Sequence, residues 1–292
     1  MAKLSHNVEY LGAWLGMKIA QVLSPRTADG FGAALGGLAH RFLTMRRRVA
    51  FDNIKKGMGD TLTDREIEAV VRKVFQNIGR TTVEFARFRQ TGLEGTRRLI
   101  VGDGDPLFKK IQEEGKGAVL VTGHFGNWEL LGMWPPSLGY PVDFLVGTQH
   151  NPKIDRMLVT FRREMGVGII PLKNSLRGIL KALKAGHFVC LVADQHDPSG
   201  GLIIDFFGRP ATVPRGPAFF AVKTGCPVLP CMMRRERYDR HVVMPGKPIY
   251  PPDSGDEEAD IRMVTEAYTR FFESCIRQYP DQWMWTHRRW KL

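Results

Sequence analysis

From about residue 97 onward, short apolar runs alternate with stretches of helical spacing, and this alternation limits the fold more than any other feature of the chain. GAVLVTG (117–123), VDFLVG (142–147), GVGIIPL (166–172), HFVCLVAD (187–194) and PVLPCMM (227–233) read as buried strands, because their apolar residues are nearly continuous. Between and after them lie expected helices: one following Asn151-Pro152 with Ile154, Met157, Leu158 and Phe161, one over about 175–185, one over about 214–224, and a last one over 256–278. Strands alternating with helices predict an α/β fold with a mainly parallel central sheet flanked by helices.

The segment before residue 97 reads as helical. Thr63 and Glu66 have capping-box spacing ahead of Ile67, Val70, Val71, Val74, Phe75 and Ile78, so a helix is expected towards Phe88, weakest at Gly79. Val8 to Leu23 is apolar around most of a helix, with Val8, Leu11, Leu15, Ile19 and Val22 on one face and interruptions at Glu9, Lys18 and Gln21. A Gly- and Ala-rich stretch, Phe31 to Leu43, leads into Arg46, Arg47 and Arg48. The net charge of +12 favours an anionic partner (nucleic acid, an anionic membrane face or an anionic substrate) or serves solubility alone. Apolar helices beside an arginine cluster suit an anionic bilayer, where each basic residue contributes about 1 kcal/mol. Residues 1–45 are therefore expected to be membrane-associating helices, with helices packed on the domain core as the alternative, and 46–292 the α/β domain. The start is read neither as a secretory leader nor as a clean run of about 20 apolar residues.

Hydrophobic residues make up 43% of the chain and charged residues 25%, enough for a packed core and against extended disorder. Cys190, Cys226, Cys231 and Cys275 include no C-x-x-C pair and read as free thiols. His124, Asp194, His196 and Asp197 come nearest to a metal-ligand set, but no H-E-x-x-H or close Cys–His cluster accompanies them, so no metal is expected. The acidic stretch 251–260 reads as a solvated connection.

HFGNWE, His124 to Glu129, follows the strand 117–123 directly, at the sheet edge where α/β folds bind ligands. A carboxylate at Glu129, one turn into the next helix, could accept a hydrogen bond from one imidazole nitrogen and leave the other to take a proton from an alcohol. No serine or cysteine nucleophile accompanies the pair, so the attacking group is expected to be the acceptor's own hydroxyl. Asp194 and Gln195, in ADQHDP, fall on the same edge and could orient an acceptor or anchor a loop. FFGRPATVPRG (206–216) reads as a rigid loop placing Arg209 and Arg215 by a helix start, a place suited to anions. Arg162 or Arg163, in FRREMG, could reach the edge or belong to a solvated face. Asn127 joins the substrate-binding candidates, and backbone N–H groups near Gly126 and Asn127, or Arg162, are candidates for oxyanion stabilisation. The ending QYPDQWMWTHRRWKL interleaves Trp with basic residues and fits a membrane interface or single-stranded nucleic acid, or else a packed segment.

These segments, in this order and over nearly the whole chain, resemble the bacterial late lipid A acyltransferase family of the lysophospholipid acyltransferase superfamily. The resemblance rests on the apolar start with its arginines, HFGNWE, FRREMG, LKNSLRGILKALKAG, ADQ, FFGRPATVPRG and QYPDQWMWTHRRWK. It implies transfer of a fatty acyl group from an acyl thioester, on acyl carrier protein or CoA, to a hydroxyl of a lipid A precursor or related glycolipid. It implies His124 as general base, Glu129 as its orienting carboxylate, Arg162 near the active-site carboxylates and Asp194 as the acid of a D-Q pair. No cofactor beyond the thioester co-substrate is implied, and the location implied is the cytoplasmic face of the inner membrane. Relatives also acylate phosphoinositide mannosides and other lipids, so a phosphoinositide mannoside or a lysophospholipid is the alternative acceptor. A metal-dependent hydrolase and a nucleic-acid-binding protein are the readings outside this class.

Overall fold

A computed structural model of the protein describes residues 2–102, 105–197 and 200–291. Four helices come first: α1 (Ala2–Val22), α2 (Pro25–Phe42), α3 (Thr44–Met58) and α4 (Asp64–Leu99). There follow β1 (Ile100–Val101), α5 (Asp105–Glu113), β2 (Ala118–Thr122), α6 (Trp128–Ser137), β3 (Val142–Val146), α7 (Pro152–Glu164), β4 (Val167–Pro171) and α8 (Ser175–Lys184). The chain ends with β5 (Phe188–Val192), β6 (Leu202–Phe206), β7 (Arg209–Val213), α9 (Gly216–Thr224), β8 (Val228–Arg237), β9 (Arg240–Pro245) and α10 (Glu257–Gln278).

The main sheet has the order β1-β9-β8-β2-β5-β3-β4, and every pairing except β8–β9 is parallel. The α/β expectation with a largely parallel sheet therefore holds. Strand β2 explains why its sequence lacks polar alternation. Val119 and Val121 enter one apolar cluster with Ile67, Val71, Val189 and Ile276, while Ala118 and Leu120 enter another with Leu131, Phe144 and Phe188. Successive side chains point to opposite faces, and both faces are covered.

The capping box forms as its spacing predicts: Thr63 N–H donates to Glu66 at 2.8 Å and Glu66 N–H donates to Thr63 Oγ1 at 3.4 Å. The helix it starts runs past Phe88 to Leu99 and breaks at Gly92 (φ 62°), while Gly79 stays helical. The segment 206–216 is not simply a rigid loop. Most of it belongs to the β6–β7 hairpin, turning at Phe207 (φ 58°) and Gly208 (φ 71°). Two successive positive φ values suit the tight turn of a two-residue hairpin. Pro210 disguises the strand in sequence, yet it is tolerated in a two-stranded ribbon with free edges.

The expected location at the cytoplasmic face of the inner membrane is corrected. Among the described residues, no helix is long and apolar enough to cross a membrane. Residues that interrupt the apolar run of α1 also bind other parts of the chain. Gln21 donates to Ala86 O at 3.1 Å, Glu9 accepts from Asn151 Nδ2 at 3.0 Å, and Ala20 packs with Ala28 and Val83. Of the readings open for the C-terminal segment, the packed one holds. Trp283 and Trp285 are core residues rather than a surface for lipid or nucleic acid, and Asn53 Nδ2 holds Trp285 O at 2.8 Å.

Candidate active site

Strands β2 and β5 are parallel neighbours with Thr122 opposite Val192. His124 and Asp194 each stand two residues beyond those strand ends, so the register alone carries them to the same point of the sheet edge. Asp194 is buried and takes three hydrogen bonds. Its Oδ2 accepts from His124 N–H at 2.7 Å and from Trp283 Nε1 at 2.7 Å, and its Oδ1 lies 2.9 Å from His124 Nδ1. The Gln195 amide also approaches Nδ1, at 3.2 Å. With Nδ1 engaged, Nε2 is the ring nitrogen left for the cavity that His124 lines.

The loop carrying His124 is fixed on three sides. Thr81 Oγ1 donates to Gly126 O at 2.8 Å, Gly126 N–H donates to Gln282 O at 2.8 Å, and Met284 N–H donates to His124 O at 2.9 Å. Only glycine fits at 126, where φ is +54° and a Cβ would lie 1.8 Å from Met233 O. At Gly123 a Cβ would stand 2.9 Å from that of Asp194, so a side chain there would push the carboxylate away.

The hydrogen bond to the imidazole that the sequence reading assigns to Glu129 is made by Asp194. Glu129 pairs instead with Arg162 at 2.8 Å. Both line the cavity of about 580 Å³ that His124 opens into, together with Phe85, Trp128, Phe144, Leu158 and Val192. That volume is in the range of small-molecule sites. Arg162 lies over the Phe85 ring at 5.8 Å and the Phe144 ring at 6.0 Å. The Nε of Arg162 and one carboxylate oxygen of Glu129 have no hydrogen-bond partner among the described residues.

Electrostatics follow from this arrangement. Burial works to lower the His124 pKa, but the Asp194 charge and hydrogen bond, with the Glu129 charge, outweigh it and hold the imidazolium above its ordinary range. Burial works to raise the Asp194 pKa, yet the His124 charge, its hydrogen bonds and that of Trp283 hold it below the usual carboxylate range. Burial pushes the Cys190 thiol, on the cavity wall, up to about 12. No group of three or more His, Cys, Asp or Glu that could hold a metal occurs among the described residues.

Three expected substrate-binding residues are placed elsewhere. Asn127 is buried, caps α6 by accepting from Leu130 N–H at 2.9 Å, and donates to Glu84 at 2.6 Å. Arg209 donates to Lys56 O at 3.0 Å, and Arg215 pairs with Glu258. Gly126 N–H, an oxyanion candidate, is taken by Gln282 O. Pro198 of ADQHDP lies outside the described residues.

Three residues of the site escaped the sequence reading. Trp283 orients Asp194 from far along the chain. Glu84 and Arg235 form a buried pair, with Arg235 Nη2 2.6 Å from Glu84 Oε2 and 2.8 Å from Thr81 Oγ1. Burial would raise the Glu84 carboxyl, but Arg235 and His241 bring it down to about 2. The pair braces Asn127 and Thr81, which in turn hold the loop. Arginine near the end of a strand gives no hint of burial in sequence; only the apolar run before it, ending at Met233, could have placed it near the sheet core.

Known proteins resemble this chain over much of its length. The phosphatidylinositol mannoside acyltransferase of Mycolicibacterium smegmatis is 27% identical over 66% of this chain and 62% of that protein. The protein of the same name from Mycobacterium tuberculosis is 28% identical over 60% of this chain and 55% of its own length. The chain thus spans less than two thirds of these relatives. The lipid A biosynthesis lauroyltransferase of Escherichia coli is 26% identical over 97% of this chain and 92% of that protein. The sequence pattern of the family described as bacterial lipid A biosynthesis acyltransferase matches residues 1–292, and the chain belongs to that family.

Proposed function

We propose that this protein is an O-acyltransferase that moves a fatty acyl group from an acyl thioester, on acyl carrier protein or CoA, to a hydroxyl of a glycolipid. The observation that carries the reading is the His124–Asp194 pair on the wall of a cavity with mixed polar and apolar lining, with Nδ1 held by Asp194. Asp194 keeps the proton on Nδ1, so Nε2 accepts the proton of the acceptor hydroxyl as its oxygen attacks the thioester carbon. The C–O bond forms, the C–S bond breaks, and the imidazolium returns the proton to the leaving thiolate. General base catalysis of this kind contributes about 10²- to 10⁴-fold. Asp194 stabilises the transient imidazolium, and the Glu129–Arg162 pair, across the same cavity, positions the acceptor and places a cation beside the developing oxyanion. A thiol at about 12 is protonated at neutral pH, which disfavours Cys190 as a covalent nucleophile and favours direct transfer.

A phosphatidylinositol mannoside is the first reading for the acceptor, supported by the relatives of that name. A lipid A precursor is the second, supported by the extent of the match to the Escherichia coli lauroyltransferase. The test is a transfer assay in which purified protein receives radiolabelled acyl carrier protein or CoA thioesters with each acceptor and with a lysophospholipid. A labelled phosphatidylinositol mannoside product supports the first reading. A labelled lipid A precursor alone would move the assignment to the second, and hydrolysis without transfer would overturn both.

A further inference from the structure

The segment LKNSLRGILKALKAG (172–186) holds four cations and no carboxylate, and the fold puts it at a particular place. Strand β4 is the last strand of the sheet, so its outer edge has no strand partner among the described residues. Helix α8 packs inward through Ile179, Ala182 and Leu183 and turns Leu176, Arg177, Lys181 and Lys184 outward. Between the β4 residues Ile169 to Pro171 and this helix runs a groove with apolar walls, rimmed by Lys173, Arg177, Lys181 and Lys184. No acidic residue lines it, and none of the four cations makes an ion pair among the described residues. Leu172 and Leu176 are more than half exposed at its mouth.

The groove also has a fixed relation to the cavity. Val146 pairs with Pro171 in the β3–β4 register, and Leu145, Val146 and Gly147 wall the cavity that contains His124. Leu172 and Lys173 therefore begin at the same sheet edge as His124, two strands away from β5.

We propose that the β4–α8 groove docks the acyl donor as an acidic, helical carrier protein, whose tethered thioester arm passes over the ends of β4 and β3 into the His124 cavity. This rests on the acyl-transfer reading above and adds where the donor sits. Apolar residues at helical spacing between unpaired cations fit an amphipathic acidic helix laid in a groove. Apolar walls flanked on one side by four cations suit a single amphipathic helix of opposite charge, and a bilayer is the outcome the vesicle measurement separates. Charge of one sign around a docking site speeds encounter with an oppositely charged partner and makes binding fall with salt.

The test compares the full-length wild type with the variant Lys173→Glu, Arg177→Glu, Lys181→Glu, Lys184→Glu. All four side chains are exposed, so the fold should persist, and circular dichroism checks it. Binding of fluorescently labelled holo-acyl carrier protein is measured against salt, beside binding to vesicles of phosphatidylcholine with phosphatidylglycerol. The expected result is salt-sensitive carrier binding by wild type and a loss of at least about tenfold in the variant, since reversed rim charges repel the partner they steered. With acyl-pantetheine, a donor lacking the carrier, both proteins should transfer at the same rate. Equal carrier binding by both proteins, or none by wild type, would overturn the proposal. So would a loss confined to the vesicles, which would make the groove a lipid-headgroup site. Absence of transfer from acyl-pantetheine by wild type would instead count against the acyl-transfer reading, because carrier binding is read without turnover.

Discussion

Replacing Asp194 by Asn changes one atom and should remove most of the activity. Oδ2 of Asp194 serves two donors, the His124 backbone N–H and Trp283 Nε1, both at 2.7 Å. Oδ1 serves only the imidazole. An asparagine keeps its carbonyl where two donors point and turns its NH₂ towards Nδ1. The amide then donates to Nδ1, which forces the ring proton onto Nε2 and leaves no base facing the cavity. In serine proteases the equivalent change of tautomer costs about 10⁴-fold in kcat with the geometry intact. General base catalysis alone is worth about 10²- to 10⁴-fold. The expected loss is therefore about 10²- to 10⁴-fold in kcat, or about 3 to 5 kcal/mol of transition-state stabilisation. KM for the acceptor should stay near wild type, and thermal unfolding should move little, because two of the three hydrogen bonds survive and the third is reversed. Single-turnover transfer at several pH values, beside a melting curve, measures all three. An Asp194→Asn enzyme with wild-type kcat and an unchanged pH profile would refute the role given to Asp194.

Other perturbations separate the parts of the site. The general base must be neutral, and the His124 pKa is raised, so the acid limb of kcat/KM should lie above the ordinary imidazole value of 6.5. Glu129→Gln removes one of the charges that raise it and should move that limb to lower pH, which a pH–rate profile reads directly. Trp283→Phe deletes the indole N–H from Asp194 and should cost about 1–3 kcal/mol in urea unfolding. Its acid limb should also shift, a change that loss of packing alone does not produce. Arg235→Leu leaves Glu84 buried without its cation and should destabilise by about 3–5 kcal/mol in the same unfolding experiment. Gly126→Ala should fail to give a stable loop, since its Cβ has no space beside Met233 O, and the readout is loss of both transfer and thermal stability.

The parallel sheet was legible because β2, β3, β4, β5 and β8 are short apolar runs and the first three lead into helix-length stretches, whereas β1 and β9 were not read. His124 was legible because it follows such a run directly, and Asp194 because it follows another. What sequence could not supply was the pairing. Glu129, one helical turn from His124, looked like its partner, but the register of β2 against β5 brings Asp194, 70 residues away, to the imidazole. The β6–β7 hairpin was hidden by Pro210, which resembles a loop residue until the free edge that tolerates it is known. Trp283 and Arg235 were hidden for a different reason. Indole and guanidinium groups occur on surfaces and in cores alike, and only their hydrogen bonds to Asp194 and Glu84 decide the matter. Arg209 and Arg215 show the reverse case, since a position by a helix start does not give an anion site when Lys56 O and Glu258 already occupy the guanidinium groups.

On the proposed mechanism, His124 Nε2 is the base for acyl transfer to a lipid hydroxyl. The direct measurement is product formation by wild type and His124→Ala, at equal folded concentration, with labelled acyl thioester and phosphatidylinositol mannoside or lipid A precursor. Wild type should give an acylated glycolipid, and the variant a rate lower by at least about 10²-fold. Product at the wild-type rate from His124→Ala would contradict it.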